Sequence, residues 1–259
     1  MSKRFLRMAH AAVLGWLTPR NHECAACARH VGGFLPYRRG MASVSPAMRQ
    51  LQLNGSDVDH FECPRCGAND RLRHLVLYLD ATSLMSRVSG GRVLHFAPEK
   101  RLVERIVAAR PTTYIRADIA PTSADMVRVD MTAMQFADDS FDVLIANHVL
   151  EHVADLEGAL REVARVLVPG GLAVLQTPYS RVLHRVFEDA GIQTDAARLE
   201  LYGQEDHVRL FGSDIVEHIA HLSGMTPCVS THDELLRHVD FRRHGVNPNE
   251  PFFLFRKDA

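Results

Sequence analysis

A short run in the middle of the chain holds three residues that can bind a metal ion. His148, Glu151 and His152 spell H-x-x-E-H within the stretch NHVLEHV. On one helix in a closed pocket, with a further acidic ligand, this pattern is the zinc signature of an inverted metalloprotease. Here the pattern directly follows an apolar run that is typical of a buried strand. The position at a strand end favours a small-molecule crevice over a protease site.

Four of the five cysteines form a second group with metal-binding chemistry. They make two C-x-x-C pairs, Cys24 with Cys27 and Cys63 with Cys66, separated by 35 residues, while Cys228 stands alone. Two such pairs can supply the four thiolates of a zinc site, although the gap exceeds the usual spacing of about 15–20 residues. Because the front of the chain lacks a signal-peptide pattern, we expect reduced thiols, a structural zinc and a cytoplasmic protein. Four uncoordinated thiols are the alternative.

The composition is that of a folded protein with room for a small extra module. The chain has 259 residues, of which 46% are hydrophobic and 24% charged, so it can bury a sizeable core. A net charge of −1 argues against a surface that binds nucleic acid over its whole extent. The charge is uneven, because residues 1–75 hold 11 Lys and Arg against 5 Asp and Glu. Any contact with a polyanion is therefore expected at this basic front.

Residues 1–20 are predicted to form an amphipathic helix. The apolar stripe of this helix consists of Phe5, Leu6, Ala9, Val13 and Trp16. The stripe predicts docking on the body of the protein or on a partner, and the nearby basic residues leave peripheral contact with a membrane surface as an alternative. No apolar run is long enough to span a bilayer, so we expect no transmembrane segment.

The remaining sequence predicts two domains, a zinc-ribbon module at 21–75 and an α/β domain at 76–259. In the second domain, short apolar runs alternate with helical patterns such as DLEGALREVARVL, which is expected to end at Pro169–Gly171. The expected strands are RVLHFA, TYIRAD, MVRVD, FDVLIAN and LAVLQTP, with PFFLFRK as a last, antiparallel edge strand. This alternation predicts a Rossmann-like, doubly wound and mostly parallel sheet covered by helices on both faces.

The residues that end these strands are the candidates for ligand binding, because open parallel sheets bind ligands outside the carboxyl ends of their strands. Asp118 lies about twenty residues beyond the first turn, where a nucleotide site of this fold keeps an acid for the ribose hydroxyls. A carboxylate that only caps the strand end is the alternative. The other candidates are His95, Phe96, Ala97, Pro98, Glu99, Asp130, Asn147, His148, Gln176, Thr177 and Pro178.

The order of these segments resembles a known family. The run from VLHFAPE through YIRAD and VRVDMTAMQFADDSFDVLIANHVLEHV to REVARVLVPGGLAVLQTP resembles the class I S-adenosylmethionine-dependent methyltransferases over roughly residues 90–180. With CPRCGANDRLRH, LHFAPE and YGQEDHVRLFG, nearly the whole chain is similar to a bacterial subgroup that carries an N-terminal zinc ribbon. The resemblance implies a methyltransferase that uses S-adenosylmethionine and holds a structural zinc.

The family's first loop is rich in glycine, and this chain has HFAPEKR in its place. Ala97 pays for a positive φ, so we expect the loop to turn differently, with Pro98 fixing one dihedral angle. The start of the next helix is expected to hold the cofactor's carboxylate, and Glu99 either meets its ammonium or only caps the helix dipole. His95 replaces an acidic residue often found at its position. The residues that the resemblance assigns to cofactor binding are His95, Phe96, Ala97, Glu99, Asp118, Asp130, Met131, Asn147 and His148, with Asp130 and Met131 near the adenine.

The resemblance also implies where the acceptor binds. His148 lies in a loop where the family keeps cofactor and substrate contacts, and Glu151 and His152 are expected to orient that loop. His207 and Arg209 follow the fifth strand, where this fold often builds an acceptor pocket. We predict His207 as a base or substrate anchor, with His148 and His152 as the other candidates, and Arg209 as the partner of an anionic acceptor. A structural turn with a salt bridge is the alternative for this stretch.

The predicted reaction is in-line methyl transfer to an oxygen of a small molecule or of a sugar unit in a glycan. One alternative is an RNA methyltransferase that contacts RNA through the zinc module. Against it, the module offers only Phe34, Tyr37 and Phe61 for stacking on bases. The other alternative is a non-catalytic, zinc-bearing binding module that has lost the cofactor. The sequence leaves the acceptor and the oligomeric state open.

Overall fold

The computed structural model describes residues 3–17 and 19–258, so residues 1, 2 and 18 of the predicted N-terminal helix lie outside the described residues. The longest strands, with six to eight residues, all belong to one sheet. In chain order the strands are β1 (His22–Cys24), β2 (Arg29–Val31), β3 (Leu53–Asn54), β4 (Arg92–Phe96), β5 (Thr113–Asp118), β6 (Val127–Arg128), β7 (Phe141–Ala146), β8 (Leu167–Val174), β9 (Tyr179–Ser180), β10 (Thr226–Pro227) and β11 (Leu254–Arg256).

Several helices begin at a side chain that caps them. Asn69, Asp155 and Thr194 each accept a backbone N–H from the first turn of the helix that follows. The helices are α1 (Lys3–Ala12), α2 (Pro46–Gln50), α3 (Asp70–Ala81), α4 (Leu84–Val88), α5 (Lys100–Ala108), α6 (Leu156–Val166), α7 (Asp195–Tyr202), α8 (Ile215–Ser223), α9 (His232–Leu235) and α10 (Phe241–His244). Within 3–17 and 19–258, no helix is both long and apolar enough to cross a membrane.

The chain divides into two compact units. The cysteine unit comprises the residues up to Val44, Gly55–Thr82 and Thr231–Glu250. The sheet unit comprises Ser45–Asn54, Ser83–Ser230 and the residues from Pro251 onward. The segment 231–250 therefore groups with the cysteines, although it lies outside the module predicted at 21–75.

Regular structure is sparse in the cysteine unit, where β1 and β2 pair antiparallel and α3 is the longest helix. Arg73 on α3 is fully buried and uses all five of its N–H groups as donors to backbone carbonyls. The acceptors are the carbonyl oxygens of His60, Phe61, Ala68, His244 and Gly245. Its guanidinium also lies 3.8 Å from the centre of the Phe34 ring. One side chain thus ties the segments around residues 60 and 244 together.

In the sheet unit, seven strands are ordered β10-β11-β8-β7-β4-β5-β6. The strands from β8 to β6 in this order pair in parallel, whereas β11 and β10 are antiparallel additions. Numbered by their order along the chain, the parallel strands follow 3-2-1-4-5, which is the doubly wound arrangement. The prediction of a Rossmann-like, mostly parallel sheet is confirmed, and the strand order reverses between β4 and β7.

Apolar burial on both faces holds this sheet in place. The side chains of Val93 and Leu94 in β4 point to opposite faces, and both are completely buried. On α6, Leu156, Leu160 and Val163 recur at helical spacing and join the same core. The sheet is therefore a rigid support for the loops at its ends.

Two details of the sheet differ from expectation. α6 ends at Val166 and β8 begins with the next residue, so Pro169–Gly171 lies inside an irregular first part of β8 instead of ending the helix. Gly170 has φ +75°, which lets this part of the strand bulge. The last strand, β11, is antiparallel as predicted, but it is not the edge, because β10 pairs outside it.

Candidate cofactor and acceptor site

The loops after β4 and β7 meet where the strand order of the sheet reverses. Ala97 and Glu99 follow β4, and Asn147 and His148 follow the neighbouring strand β7. Asn147 donates a hydrogen bond from Nδ2 to Oε1 of Glu99 across this point, at 2.5 Å. The structure therefore brings the predicted residues of both loops together at the position where doubly wound sheets bind ligands.

The first loop makes the glycine type of turn with an alanine. Ala97 has φ +45°, in the left-handed region that favours glycine, and it is exposed. Its N–H donates to the carbonyl of Ala117 at 2.9 Å, which keeps the loop close to β5. The expectation that the loop avoids a positive φ is wrong, since alanine accepts this geometry at a cost of about 1–2 kcal/mol.

Glu99 carries the charge of this loop. It occupies the N-cap position of α5 and makes no side-chain capping hydrogen bond, although its charge lies at the positive end of the helix dipole. Its Oε2 lies 3.2 Å from Nε2 of His95, while Oε1 accepts the bond from Asn147. Burial would raise the pKa of Glu99, but the hydrogen bond and charge of His95, together with the hydrogen bond from Asn147, lower it below its usual value. The carboxylate is therefore ionised at neutral pH.

Two predicted cofactor contacts lie deeper than expected. His95 is completely buried, and its Nδ1 lies 3.0 Å from the hydroxyl of Tyr114. Phe96 belongs to the hydrophobic core. These side chains support the loop, His95 through Glu99 and Phe96 by packing. Tyr114 was not singled out from the sequence, because an aromatic residue in a strand is usually part of a core.

The predicted nucleoside contacts follow the next two strands. Asp118 ends β5, is partly exposed and accepts the N–H of Ala120 at 2.8 Å. Asp130 is exposed, and its Oδ1 accepts the N–H and the hydroxyl of Thr132 at 2.9 and 2.7 Å, which lowers its pKa. Met131 is buried in the core. Because β4, β5 and β6 are parallel neighbours, both carboxylates lie at the same edge of the sheet as Ala97.

The H-x-x-E-H run does not form one helix. His148 has φ +56° and donates its N–H to the carbonyl of Gln176 at 2.7 Å, outside the single 3₁₀ turn of Leu150–His152. Its Nδ1 lies 3.2 Å from Oε1 of Glu151. The two histidines of the pattern therefore lack the common helix that an inverted metalloprotease requires.

Glu151 is almost completely buried beside three histidines. Its Oε2 accepts the hydroxyl of Thr177 at 2.8 Å. Burial would raise its pKa, but the hydrogen bond and charge of His148, and the charges of His207 and His152, outweigh burial and lower it to about 2. The structure thus joins the loop after β7 to a residue 56 positions further along the chain.

His152 and His207 lie edge to face, with ring centres 4.8 Å apart. Nδ1 of His207 lies 3.1 Å from the carbonyl oxygen of Tyr202, and Nδ1 of His152 lies 3.3 Å from that of Asp206. Burial lowers the pKa of His207, so its imidazole is neutral near pH 7. A neutral ring that donates from Nδ1 presents the lone pair of Nε2.

Arg209 has a different task from the predicted one. It is completely buried and donates to the carbonyls of Leu150, Val153 and Ala154, while its Nε bonds Glu188 at 2.8 Å. A guanidinium occupied in this way holds the loop after β7 in shape. The structure therefore does not support Arg209 as the partner of an anionic acceptor.

In the cysteine unit, the two C-x-x-C pairs meet. The four sulfur atoms all lie within 4.8 Å of one another, and Sγ of Cys24 lies 3.7 Å from Sγ of Cys66. In both pairs, the N–H four residues after the first cysteine donates to that cysteine's carbonyl, at 2.8 Å for Ala28 and 2.9 Å for Gly67. Both turns end with a positive φ, +52° and +76°. The pairs are two copies of one turn, although only the second has glycine.

Comparison with known proteins finds similarity over part of the chain. Residues 84–175 match a family model described as a methyltransferase domain. An uncharacterized methyltransferase of Mycolicibacterium gilvum is 44% identical over 68 residues, which are 26% of this chain and 24% of the relative. A demethylmenaquinone methyltransferase of Mycobacterium marinum is 41% identical over 63 residues, 23% of this chain and 27% of its own length. The matches thus span about a quarter of these relatives.

A longer alignment has a lower sequence identity. A malonyl-[acyl-carrier protein] O-methyltransferase of Halorhodospira halophila is 26% identical over 149 residues, 52% of this chain and 50% of the relative. A solved S-adenosylmethionine-dependent methyltransferase from Mesorhizobium loti is 16% identical over 70% of this chain and 97% of its own, with a TM-score of 0.47. Residues 84–175 of this chain are therefore similar to methyltransferase domains.

Proposed function

We propose that the chain transfers a methyl group from S-adenosylmethionine to an oxygen of a small-molecule or glycan acceptor. The observation that carries this proposal is the ionised Glu99 at the reversal point, bonded to His95 and Asn147 beside the left-handed turn of Ala97. When bound, the cofactor supplies a methyl group that its sulfonium already activates. The protein has to bind the cofactor, place the acceptor in line and exclude water.

The residues at the sheet edge fit the charges of the cofactor. The carboxylate of Glu99 is suited to the ammonium, and the N–H groups that begin α5 are suited to the carboxylate of the methionine part. Asp118 is suited to the ribose hydroxyls. Asp130 uses Oδ1 for both contacts to Thr132, so Oδ2 can accept the adenine amino group. Both roles need an acidic residue, and Asp118 ends β5 while Asp130 follows β6.

On the acceptor side, His207 and His148 are the proposed contacts. His148 is adjacent to Asn147, and its ring is buried beside Glu151. The neutral imidazole of His207 can anchor an acceptor hydroxyl or take its proton as the oxygen attacks the methyl carbon. When bound, S-adenosylmethionine would supply this methyl group in the same in-line displacement and would leave as S-adenosylhomocysteine. Relatives named for demethylmenaquinone and malonyl-[acyl-carrier protein] are consistent with a small acceptor.

We also propose that the four clustered cysteines hold a structural zinc. Sulfur atoms about 2.3 Å from a tetrahedral zinc lie about 3.8 Å from one another. The observed 3.7 Å between Cys24 and Cys66 fits this value. A unit with few regular elements gains its folding energy from such a metal.

Calorimetry with S-adenosylhomocysteine tests the cofactor site. We expect Glu99→Gln and Asp118→Ala each to weaken binding about 10- to 100-fold, since each removes a charged hydrogen-bond partner. Glu157→Gln, which changes an exposed ion pair with Arg161, is the matched control and should bind like the wild type. Equal affinity in all four proteins would refute the proposed site.

Turnover experiments test the acceptor side. His207→Ala should abolish methyl transfer to an acceptor found by screening, while the affinity for S-adenosylhomocysteine stays the same. Unchanged turnover would remove His207 from the site. Retention of RNA that weakens steeply with salt would instead favour an RNA acceptor, and absence of any cofactor binding would favour a non-catalytic module.

A further inference from the structure

We propose that Glu151, His152 and His207 form a binding site for a divalent transition-metal ion such as zinc, separate from the cysteine cluster. One carboxylate and two imidazoles are a frequent ligand set for this class of ion. One ligand atom from each of the three residues lies within 4.8 Å of the other two. The set joins two loops and does not depend on the helix that a protease motif would need.

The first supporting observation is the orientation of both imidazoles. In each ring, Nδ1 faces a backbone carbonyl oxygen, that of Asp206 for His152 and that of Tyr202 for His207. A histidine that donates from Nδ1 carries its lone pair on Nε2, and this is the usual state of a metal-ligating histidine. Two neighbouring histidines are therefore prepared in the same tautomer.

The second observation is the buried carboxylate of Glu151. Glu151 is 1% exposed, and Oε2 is held by the hydroxyl of Thr177, which orients the group. Oε1 faces Nδ1 of His148 at 3.2 Å. A buried carboxylate is costly unless positive charge faces it. A divalent ion supplies positive charge to this carboxylate.

The third observation is a set of hydrogen bonds between the segment around His207 and the loop after β7. The N–H of Val208 donates to the carbonyl of Glu151 at 2.9 Å, and the next residue, Arg209, donates to the carbonyl of Leu150 at 3.0 Å. These bonds set the segment around His207 beside the 3₁₀ turn that carries Glu151 and His152. Ligands of a tetrahedral ion lie about 3.4 Å apart, so ligand atoms that lie within 4.8 Å of one another have to draw closer when the ion binds.

Three protein ligands leave coordination positions open. His148, next to Glu151, directly follows Asn147, the residue that bonds Glu99 in the cofactor loop. An open position here is suited to an oxygen of the acceptor, and the ion would then replace His207 as the acceptor's anchor, because the Nε2 lone pair of His207 would bind the ion. This use of the ion rests on the proposed function, whereas binding of the ion does not.

Zinc content of the full-length protein tests the site directly. After equilibration with zinc chloride and removal of excess, elemental analysis should find one zinc fewer per chain in Glu151→Gln, His152→Ala and His207→Ala than in the wild type. His221→Ala, an exposed histidine on α8, is the control and should keep the wild-type content. His152 is partly exposed, so its variant is expected to fold, and thermal unfolding followed by circular dichroism verifies each protein.

Cobalt provides a second measurement. Thiolate-to-cobalt absorption from the cysteine cluster should be the same in all variants, whereas the weaker bands of a nitrogen and oxygen site should disappear with His152→Ala. Equal zinc content in the wild type and in folded His152→Ala and Glu151→Gln would overturn the proposal. Binding of S-adenosylhomocysteine, measured on the same samples, separates that result from failure of the proposed function. If the cofactor product fails to bind but the zinc difference persists, the metal site stands without the enzyme.

Discussion

Among the residues whose burial the structure describes, the cysteine unit and the sheet unit each contain one completely buried arginine that binds backbone carbonyls, but they depend on it differently. Arg73 in the cysteine unit donates to five carbonyls in an environment of short strands and turns. Arg209 in the sheet unit donates to three carbonyls and Glu188, and it fixes one loop above a large apolar core. The difference suggests that polar and metal contacts fold the first unit, whereas apolar burial folds the second.

The largest effect that we expect is that removal of zinc unfolds the cysteine unit and leaves the sheet unit folded. Zinc bound by four cysteines contributes about 10–16 kcal/mol in small zinc modules. We therefore expect Cys63→Ser or a strong chelator to unfold the cysteine unit, seen as rapid amide exchange at 22–31 and 60–68. The sheet unit should keep its slow exchange. Cys228→Ser lies outside the cluster and is the matched control; protected amides after complete zinc loss would contradict the idea.

The two arginines should differ in the extent of damage. Arg73→Met removes a donor from five carbonyls, of which that of Ala68 keeps the N–H of Cys63, and should cost about 3–5 kcal/mol of stability, with loss of protection throughout the cysteine unit. Arg209→Met should increase amide exchange mainly at 148–156. Arg161→Met, on an exposed face of α6, should change stability by less than about 0.5 kcal/mol. If Arg73→Met and Arg209→Met instead increase amide exchange to the same extent throughout the protein, the two arginines do not differ in their roles.

A buried acid makes the cysteine unit sensitive to pH. Burial, with Glu250 adding to it against the opposing charges of Arg71 and Arg73, raises the pKa of Asp70 to about 7. The folded state then holds a proton that the unfolded state has lost, so the free energy of unfolding should fall as pH rises from about 4 to 7. Asp70→Asn should reduce this fall by about 2–4 kcal/mol. Chemical unfolding at pH 4.5 and 7.5 measures the free energy of unfolding. An equal decrease between these two pH values in the wild type and in Asp70→Asn would refute the raised pKa of Asp70.

The smallest effect concerns three turns with positive φ. Ala28 and Ala97 have φ +52° and +45°, whereas Gly67 fills the equivalent position of the second cysteine turn. Ala28→Gly and Ala97→Gly should each stabilise the protein by about 0.5–1 kcal/mol, and Gly67→Ala should destabilise it by a similar amount. Thermal unfolding of the three variants gives the sign. A loss of stability in both Ala→Gly variants would show that the alanine methyl groups contribute packing that outweighs the relief of strain.

Much of the sheet unit could be predicted because its signals are local. An apolar run such as FDVLIAN specifies a buried strand by itself, and a parallel sheet brings all strand ends to one edge. Asp118, Glu99 and Asn147 could therefore be placed near one another without coordinates. The turn at Ala97 was predicted wrongly, since the packing of β4 and β5 imposes a positive φ that the residue type disfavours.

Other features depend on contacts between distant segments, which no local pattern specifies. The sequence by itself determined the order of strands and helices, the residues at the strand ends and the two cysteine pairs, because side-chain periodicity and spacing are properties of a few consecutive residues. Only the tertiary structure decided that Arg209 binds loop carbonyls, that 231–250 joins the cysteine unit, and that His207 lies beside Glu151 and His152. Those pairings arise when the chain closes on itself and every buried polar group must find a partner.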